Sequence, residues 1–112
     1  MSVSYFVRYE GRAENPEAFL AHYREWHVPI LANLPGIRRI ILHTPVVWHD
    51  PFPVNPDPFV LLAQMIFDTV EDLNRALASG ARAIARVDFE GFPHFDGVVH
   101  HQAAESQEVF SQ

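Results

Sequence analysis

Hydrophobic and polar positions alternate cleanly at the start of the chain. Val3, Tyr5, Val7 and Tyr9 share one face and Ser4, Phe6, Arg8 and Glu10 the other, the two-residue period of a β-strand. Gly11 is expected to end that strand. Asn15, Pro16 and Glu17 follow, which places an Asx N-cap, a proline at the first helical position and an acid in the first turn. A helix is therefore predicted from Pro16 toward Leu34, where Pro35-Gly36 turns the chain. Pro29 interrupts it. Proline has no N–H to offer the carbonyl of Glu25 and biases Val28 away from helical backbone, so a kink or break is expected there.

Residues 37–44 (IRRIILHT) and 59–67 (FVLLAQMIF) read as a second and third strand. Between them lie five prolines from Pro45 to Pro58, which predict an ordered but irregular connection. Asp68 or Thr69 would cap a second helix, with Glu71 and Asp72 in its first turn and Val70, Leu73 and Leu77 on its apolar face. Gly80 is expected to end its regular part, leaving a further helical turn or two over 81–87. A last strand is predicted over 97–104 (GVVHHQAA). The order β-α-β-β-α-β defines an α+β, ferredoxin-like domain over 1–112: four antiparallel strands with two helices on one face. The second and third strands are apolar on successive residues, so both faces of the sheet should avoid water. Helices cover one face only. A second copy of the sheet is the simplest cover for the other, giving a homodimer.

Composition narrows the chemistry. The 112 residues are 48% hydrophobic and 20% charged, ordinary values for a globular domain. The formal charge is −6, a poor basis for binding nucleic acid or an anionic membrane. Cysteine is absent and every basic residue is Arg, so Schiff-base, thiolate and disulfide chemistry are excluded. The start lacks the pattern of a secretory signal and no apolar run suits a membrane span; a cytoplasmic location is expected. No nucleophile elbow, phosphate-cradling loop or dinucleotide fingerprint is present.

Glu17 to Pro29 (EAFLAHYREWHVP), then Leu34-Pro35-Gly36-Ile37-Arg38-Arg39, and Met65 to Leu73 (MIFDTVEDL) resemble the EthD family. That family is named for a protein of ethyl tert-butyl ether degradation and belongs to the dimeric α/β-barrel superfamily. The resemblance covers nearly the whole chain apart from the Pro-rich loop and the tail. It implies two sheets facing each other in a dimer and a cavity between helices and sheet. It does not fix an activity, because the superfamily includes cofactor-free monooxygenases, isomerases, dehydratases and haem enzymes.

His27 is the most informative residue. At about 100° per residue, Trp26, Phe19, Ile30, Tyr23, Leu20 and Leu31 fall in an arc of about 140°, with His27 near its middle. Two readings stay open: a core imidazole satisfied by the backbone loosened at Pro29, or a cavity-facing acid/base, which the resemblance favours. His22, five residues earlier, would lie about 140° away and so be solvated rather than paired with His27. His100 and His101 point to opposite faces of their strand. His94, Asp96 and His100 share strand parity, but Gly91, Pro93 and Gly97 argue against a continuous strand there. Neither a metal nor a haem is therefore expected. Arg38 and Arg39 face opposite ways, and either could bind a carboxylate or simply be solvated. Trp48, Phe52 and Phe59 would lid a pocket or, the favoured reading, pack. In related isomerases an aromatic hydroxyl follows the Pro-Gly corner; Ile40 stands there here, leaving Tyr5, Tyr9 or Tyr23 as substitutes.

These readings converge on a small enzyme without a bound cofactor, acting on a hydrophobic cyclic or aromatic molecule as a monooxygenase, isomerase or dehydratase. His27 would be catalytic, with Tyr5, Tyr23, Trp26, Met65, Phe67 and His101 around the substrate. The alternatives are a non-catalytic binding or accessory dimer of a degradation system, and a structural dimer whose cavity is filled by side chains.

Overall fold

A computed structural model describes all 112 residues. Four antiparallel strands, β1 (Ser2–Ala13), β2 (Arg39–His43), β3 (Leu61–Phe67) and β4 (Phe95–Ser106), form one sheet in the order β2-β3-β1-β4. Helices α1 (Pro16–His22), α2 (Val28–Leu31), α3 (Val70–Leu77) and α4 (Gly80–Glu90) complete the ferredoxin-like fold, and a π turn (Tyr23–His27) joins α1 to α2. No helix is long and apolar enough to cross a membrane.

Local chemistry sets the element ends. Asn15 caps α1, its side-chain oxygen accepting from the Ala18 N–H at 3.0 Å, with Pro16 at the first helical position. Thr69 caps α3 in the same way. Gly36, at φ +79°, turns the chain after α2. Three expectations fail for identifiable reasons. Gly11 does not end β1. It adopts φ +139° opposite Gly97, and the two backbones approach so closely that a Cβ on either would collide with the other strand; both strands therefore run on, and β4 is continuous through Gly97. Gly80 does not end a helix but opens one. Ser79 caps α4, accepting from the Arg82 N–H, and eleven helical residues follow instead of a turn or two.

The third failure is Val28, which stays helical at φ −57°, ψ −43°. The defect falls one turn earlier, where the Val28 N–H reaches back five residues to the Tyr23 carbonyl. A π turn carries one extra residue per turn, and here it absorbs the misfit of the Pro29 ring and the N–H that proline lacks.

The helices cover the face of the sheet bearing Tyr5, Val7 and Tyr9 of β1, with Leu61, Ala63, Met65 and Phe67 of β3. Tyr9 stands at the centre of an aromatic cluster, its ring 5.4 Å from Phe19, 5.8 Å from Phe95 and 5.9 Å from both Tyr23 and Phe89. Burying each such ring contributes a few kcal/mol, and edge-on contacts add about 1 kcal/mol apiece. Val70, expected on the buried face of α3, is exposed; Leu73 carries that packing.

The opposite face is mixed rather than uniformly apolar. Phe6, Ile41, Leu62 and Ile66 lie there half-buried. A diagonal of side-chain hydrogen bonds crosses all four strands: Ser106 Oγ to Ser4 Oγ at 2.7 Å, Gln64 Nε2 donating to Ser4 Oγ at 3.1 Å, and His43 Nε2 to Gln64 Oε1 at 3.1 Å. Residues 44–60 form an irregular arm, as the prolines predict. Arg8 ties the arm to the open face through Asp57 at 3.2 Å. Trp48 and Phe52 on the arm are exposed.

Candidate functional site

A cavity of about 70 Å³ lies between the helices and the sheet, lined by fifteen residues of which eleven are hydrophobic. Tyr5, Val7 and Tyr9 of β1 form its floor, Tyr23, His27, Leu31 and Leu34 one wall, and Arg82, Ala85, Arg86 and Phe89 of α4 another. The α4 residues recur at i, i+3, i+4 and i+7, the stripe a helix turns toward a core. Pockets for drug-sized ligands hold roughly 300–1,000 Å³, and a cavity of about 150 Å³ holds benzene, so a single ring enters here only if the walls part.

His27 is the central polar group, with only 6% of its surface exposed. Its Nδ1 lies 2.8 Å from Oδ2 of Asp88 on α4. A carboxylate can only accept, so Nδ1 carries the proton and Nε2 of the neutral ring is left with a free lone pair. Burial pushes the His27 pKa below its ordinary value, and Asp88 opposes that shift without cancelling it. Charge on His22 adds to the depression. The imidazole also packs edge-on against Phe92, ring centroids 4.9 Å apart, and lies 4.7 Å from the Tyr23 ring.

His22 is not solvated. Its Nε2 is buried 3.4 Å from the same Asp88 oxygen, too poorly aligned for a hydrogen bond. Helical projection at a uniform 100° separates His22 from His27; the intervening π turn brings residues five apart onto one side. The same turn removes Trp26 from the buried arc. Trp26 is 64% exposed and does not line the cavity, contrary to the sequence expectation.

Of the other expected pocket residues, Tyr5, Tyr23, Met65 and His101 do line the cavity. Phe67 does not: it is fully buried in the core beyond it. Tyr5, Tyr9 and Tyr23, the three possible substitutes for the hydroxyl missing at Ile40, all reach the cavity. Burial holds the Tyr9 and Tyr23 phenols well above their ordinary pKa, so both remain proton donors. His100 turns to the opposite face and pairs with Glu10 at 2.9 Å. His94, Asp96 and His100 do not gather into a metal-ligand set. Arg38 pairs with Asp68 at 2.7 Å on the surface, and Trp48, Phe52 and Phe59 stand away from the cavity. Asp88, Arg82 and Arg86 escaped sequence reasoning. Treating 80–90 as one helix capped by Ser79 would have put both arginines on the stripe facing Tyr5.

The EthD domain family matches residues 12–92, and the chain belongs to that family. No curated protein sequence matches it significantly. Among solved structures, an ethyl tert-butyl ether degradation (EthD) family protein from Bacillus halodurans C-125 is similar, with 23% identity and a TM-score of 0.75. The match covers 96% of this chain and 100% of the other. SnoaB, a cofactor-independent oxygenase from Streptomyces nogalater, shares 15% identity with a TM-score of 0.65 over 99% of this chain and 98% of its own. A dimeric protein of unknown function with a ferredoxin-like fold from Bacteroides fragilis NCTC 9343 shares 15% identity, TM-score 0.59, over 94% and 96%. At these identities the likeness establishes the fold.

The depressed His27 pKa has a measurable consequence. Its unfolded value is near 6.5, so below that pH the unfolded chain binds a proton the folded chain resists. Stability is then full above the unfolded pKa and is lost as pH falls toward the folded one. The urea midpoint should drop between about pH 7.5 and pH 5, and His27→Gln should flatten that slope. An unchanged slope in the variant would place the titration elsewhere.

Proposed function

We propose that the protein is a small cytoplasmic enzyme that moves a proton on a hydrophobic cyclic or aromatic molecule, without a bound cofactor, with His27 as the acid/base. The observation that carries this reading is the 2.8 Å contact between His27 Nδ1 and Asp88. It fixes the tautomer, leaves Nε2 as a base, and would stabilise the imidazolium formed when a proton arrives. A depressed pKa keeps His27 neutral, and so able to accept, at neutral pH. The Tyr23 phenol donates to Tyr9, which leaves the Tyr9 O–H to donate to an oxygen that gains charge as the substrate loses its proton. Isomerisation, dehydration and oxygenation by dioxygen can each begin at such a step, in a catabolic or biosynthetic pathway. The resemblance in fold to a cofactor-independent oxygenase supports this class of chemistry.

A suitable test is exchange of the α C–H protons of cyclopentanone, a single-ring ketone, in deuterated buffer followed by NMR. The wild type should accelerate exchange. His27→Gln should lower the enzymatic rate roughly 10²- to 10⁴-fold while its far-UV circular dichroism is retained. Binding without acceleration in the wild type would instead favour a non-catalytic binding or accessory protein.

The working form in this proposal is a homodimer with the two open sheet faces opposed. Phe6, Ile41, Leu62 and Ile66 on that face, and Val46, Val47, Trp48 and Phe52 on the arm, supply the apolar surface. Burying a few hundred Å² at about 25 cal/mol per Å² is comparable to the stability of a domain this size. A dimeric relative of the same fold is consistent with it. Sedimentation should show a dimer at micromolar concentration; a stable folded monomer would contradict the arrangement.

A further inference from the structure

Four of the fifteen residues around the cavity are polar or charged: His27, Arg82, Arg86 and His101. The two arginines are permanently cationic, no carboxylate lines the space, and the nearby Asp88 is already taken up by His27 and His22. That is unexpected in a chain with a formal charge of −6. Of the other six arginines, Arg8, Arg38 and Arg75 are matched by acids, while Arg12, Arg24 and Arg39 are unpaired but exposed to solvent away from the cavity. The guanidinium groups of Arg82 and Arg86 make no ion pair and no hydrogen bond within the protein, although their backbones are held rigidly in α4. One turn apart on a helix, two like charges repel. Arg82 is half-buried beside the cavity and Arg86 stands at its exposed rim, and neither is paired with an acid.

We propose that the cavity takes a ring compound bearing an oxygen anion, a carboxylate or an enolate, and that Arg82 and Arg86 hold that oxygen. The inference rests on the acid/base reading of the same cavity and names the chemistry of its substrate. Arg82 is poised for it: its Cζ lies 5.9 Å above the Tyr5 ring, so the aromatic face steadies the cation without neutralising it. Arg86 follows at i+4 on the same stripe, with Ala85 between them keeping the wall low. His101, opposite on β4, has its pKa depressed by burial and by the charge of both arginines. The positive field of the pair thus reaches across the cavity. A planar guanidinium presents paired donors that match a carboxylate or enolate oxygen geometrically, and such charge-assisted bonds strengthen where water is excluded. When His27 Nε2 takes a proton from a ring carbon, the C–H electron pair moves into the adjacent carbonyl, whose oxygen becomes an enolate. The arginines would hold that charge.

Binding of benzoate and of its neutral isostere benzamide, followed by titration of the amide NMR spectrum, tests the proposal. Benzoate should bind the wild type at least about ten times more tightly. Arg82→Gln and Arg86→Gln should each remove most of that preference while leaving benzamide affinity unchanged, and Arg→Lys should restore part of it. Affinity for 4-nitrophenolate relative to benzoate tells an enolate-like from a carboxylate-like anion. His27→Gln should leave the preference for benzoate intact, so a failed acid/base role and a failed anion site give different results. Equal affinity for benzoate and benzamide, equal losses of both in the arginine variants, or no binding of benzoate would overturn the anion site. Folding of each variant is checked independently by far-UV circular dichroism and by the dispersion of the amide NMR spectrum.

Discussion

The site depends on a misfit in one helix. Pro29 cannot accept the α-helical hydrogen-bond pattern, and the backbone responds by widening into a π turn over Tyr23–His27. That single extra residue turns His22 and His27 onto one side and Trp26 onto the other. Both imidazoles then meet Asp88, which α4 brings in from 61 residues further along the chain. A regular helix through the same residues would bury Trp26 and turn His22 away from Asp88. π turns inside helices recur at functional sites, and here the geometry supplies the reason: the turn sets which side chains the helix offers to the cavity.

Electrostatically the cavity balances opposed effects on His27. Desolvation and His22 disfavour its cation, while Asp88 favours it, and the net shift is downward. The Asp88 oxygen contacts both histidines, so it orients His27 through Nδ1 and screens His22 at once. Around this pair the wall is aromatic and aliphatic, which raises the strength of every remaining polar contact. The polar diagonal on the far side of the sheet follows the opposite logic: Ser4 and Gln64 satisfy each other within the subunit, so that face can be covered without stranding their polar groups.

Much of the fold was legible in the sequence because local signals agreed. Strand alternation in 3–10, the Asn15-Pro16 start, the Pro35-Gly36 turn and the Thr69 cap all correspond to observed elements. The errors share a cause: glycines and helix geometry were read without their partners. Gly11 reads as a strand end until Gly97 is placed opposite it. Gly80 reads as a helix end until Ser79 is recognised as a cap. His27 could be singled out from its place on the apolar arc. Asp88, Arg82 and Arg86 could not, because with Gly80 read as a helix end only a turn or two of helix is expected over 81–87 and nothing beyond it. The uniform 100° projection then misassigned Trp26 and His22, since nothing in the local sequence states whether a helix answers a proline with a kink or with a π turn.

Burial keeps His27 neutral while Asp88 holds its proton on Nδ1, leaving Nε2 unprotonated. The ¹⁵N chemical shifts of the His27 ring at neutral pH measure this directly. Nδ1 is expected to be protonated and Nε2 unprotonated, with the ring titrating below its ordinary value. A ring protonated on Nε2 alone, or doubly protonated at neutral pH, would contradict it.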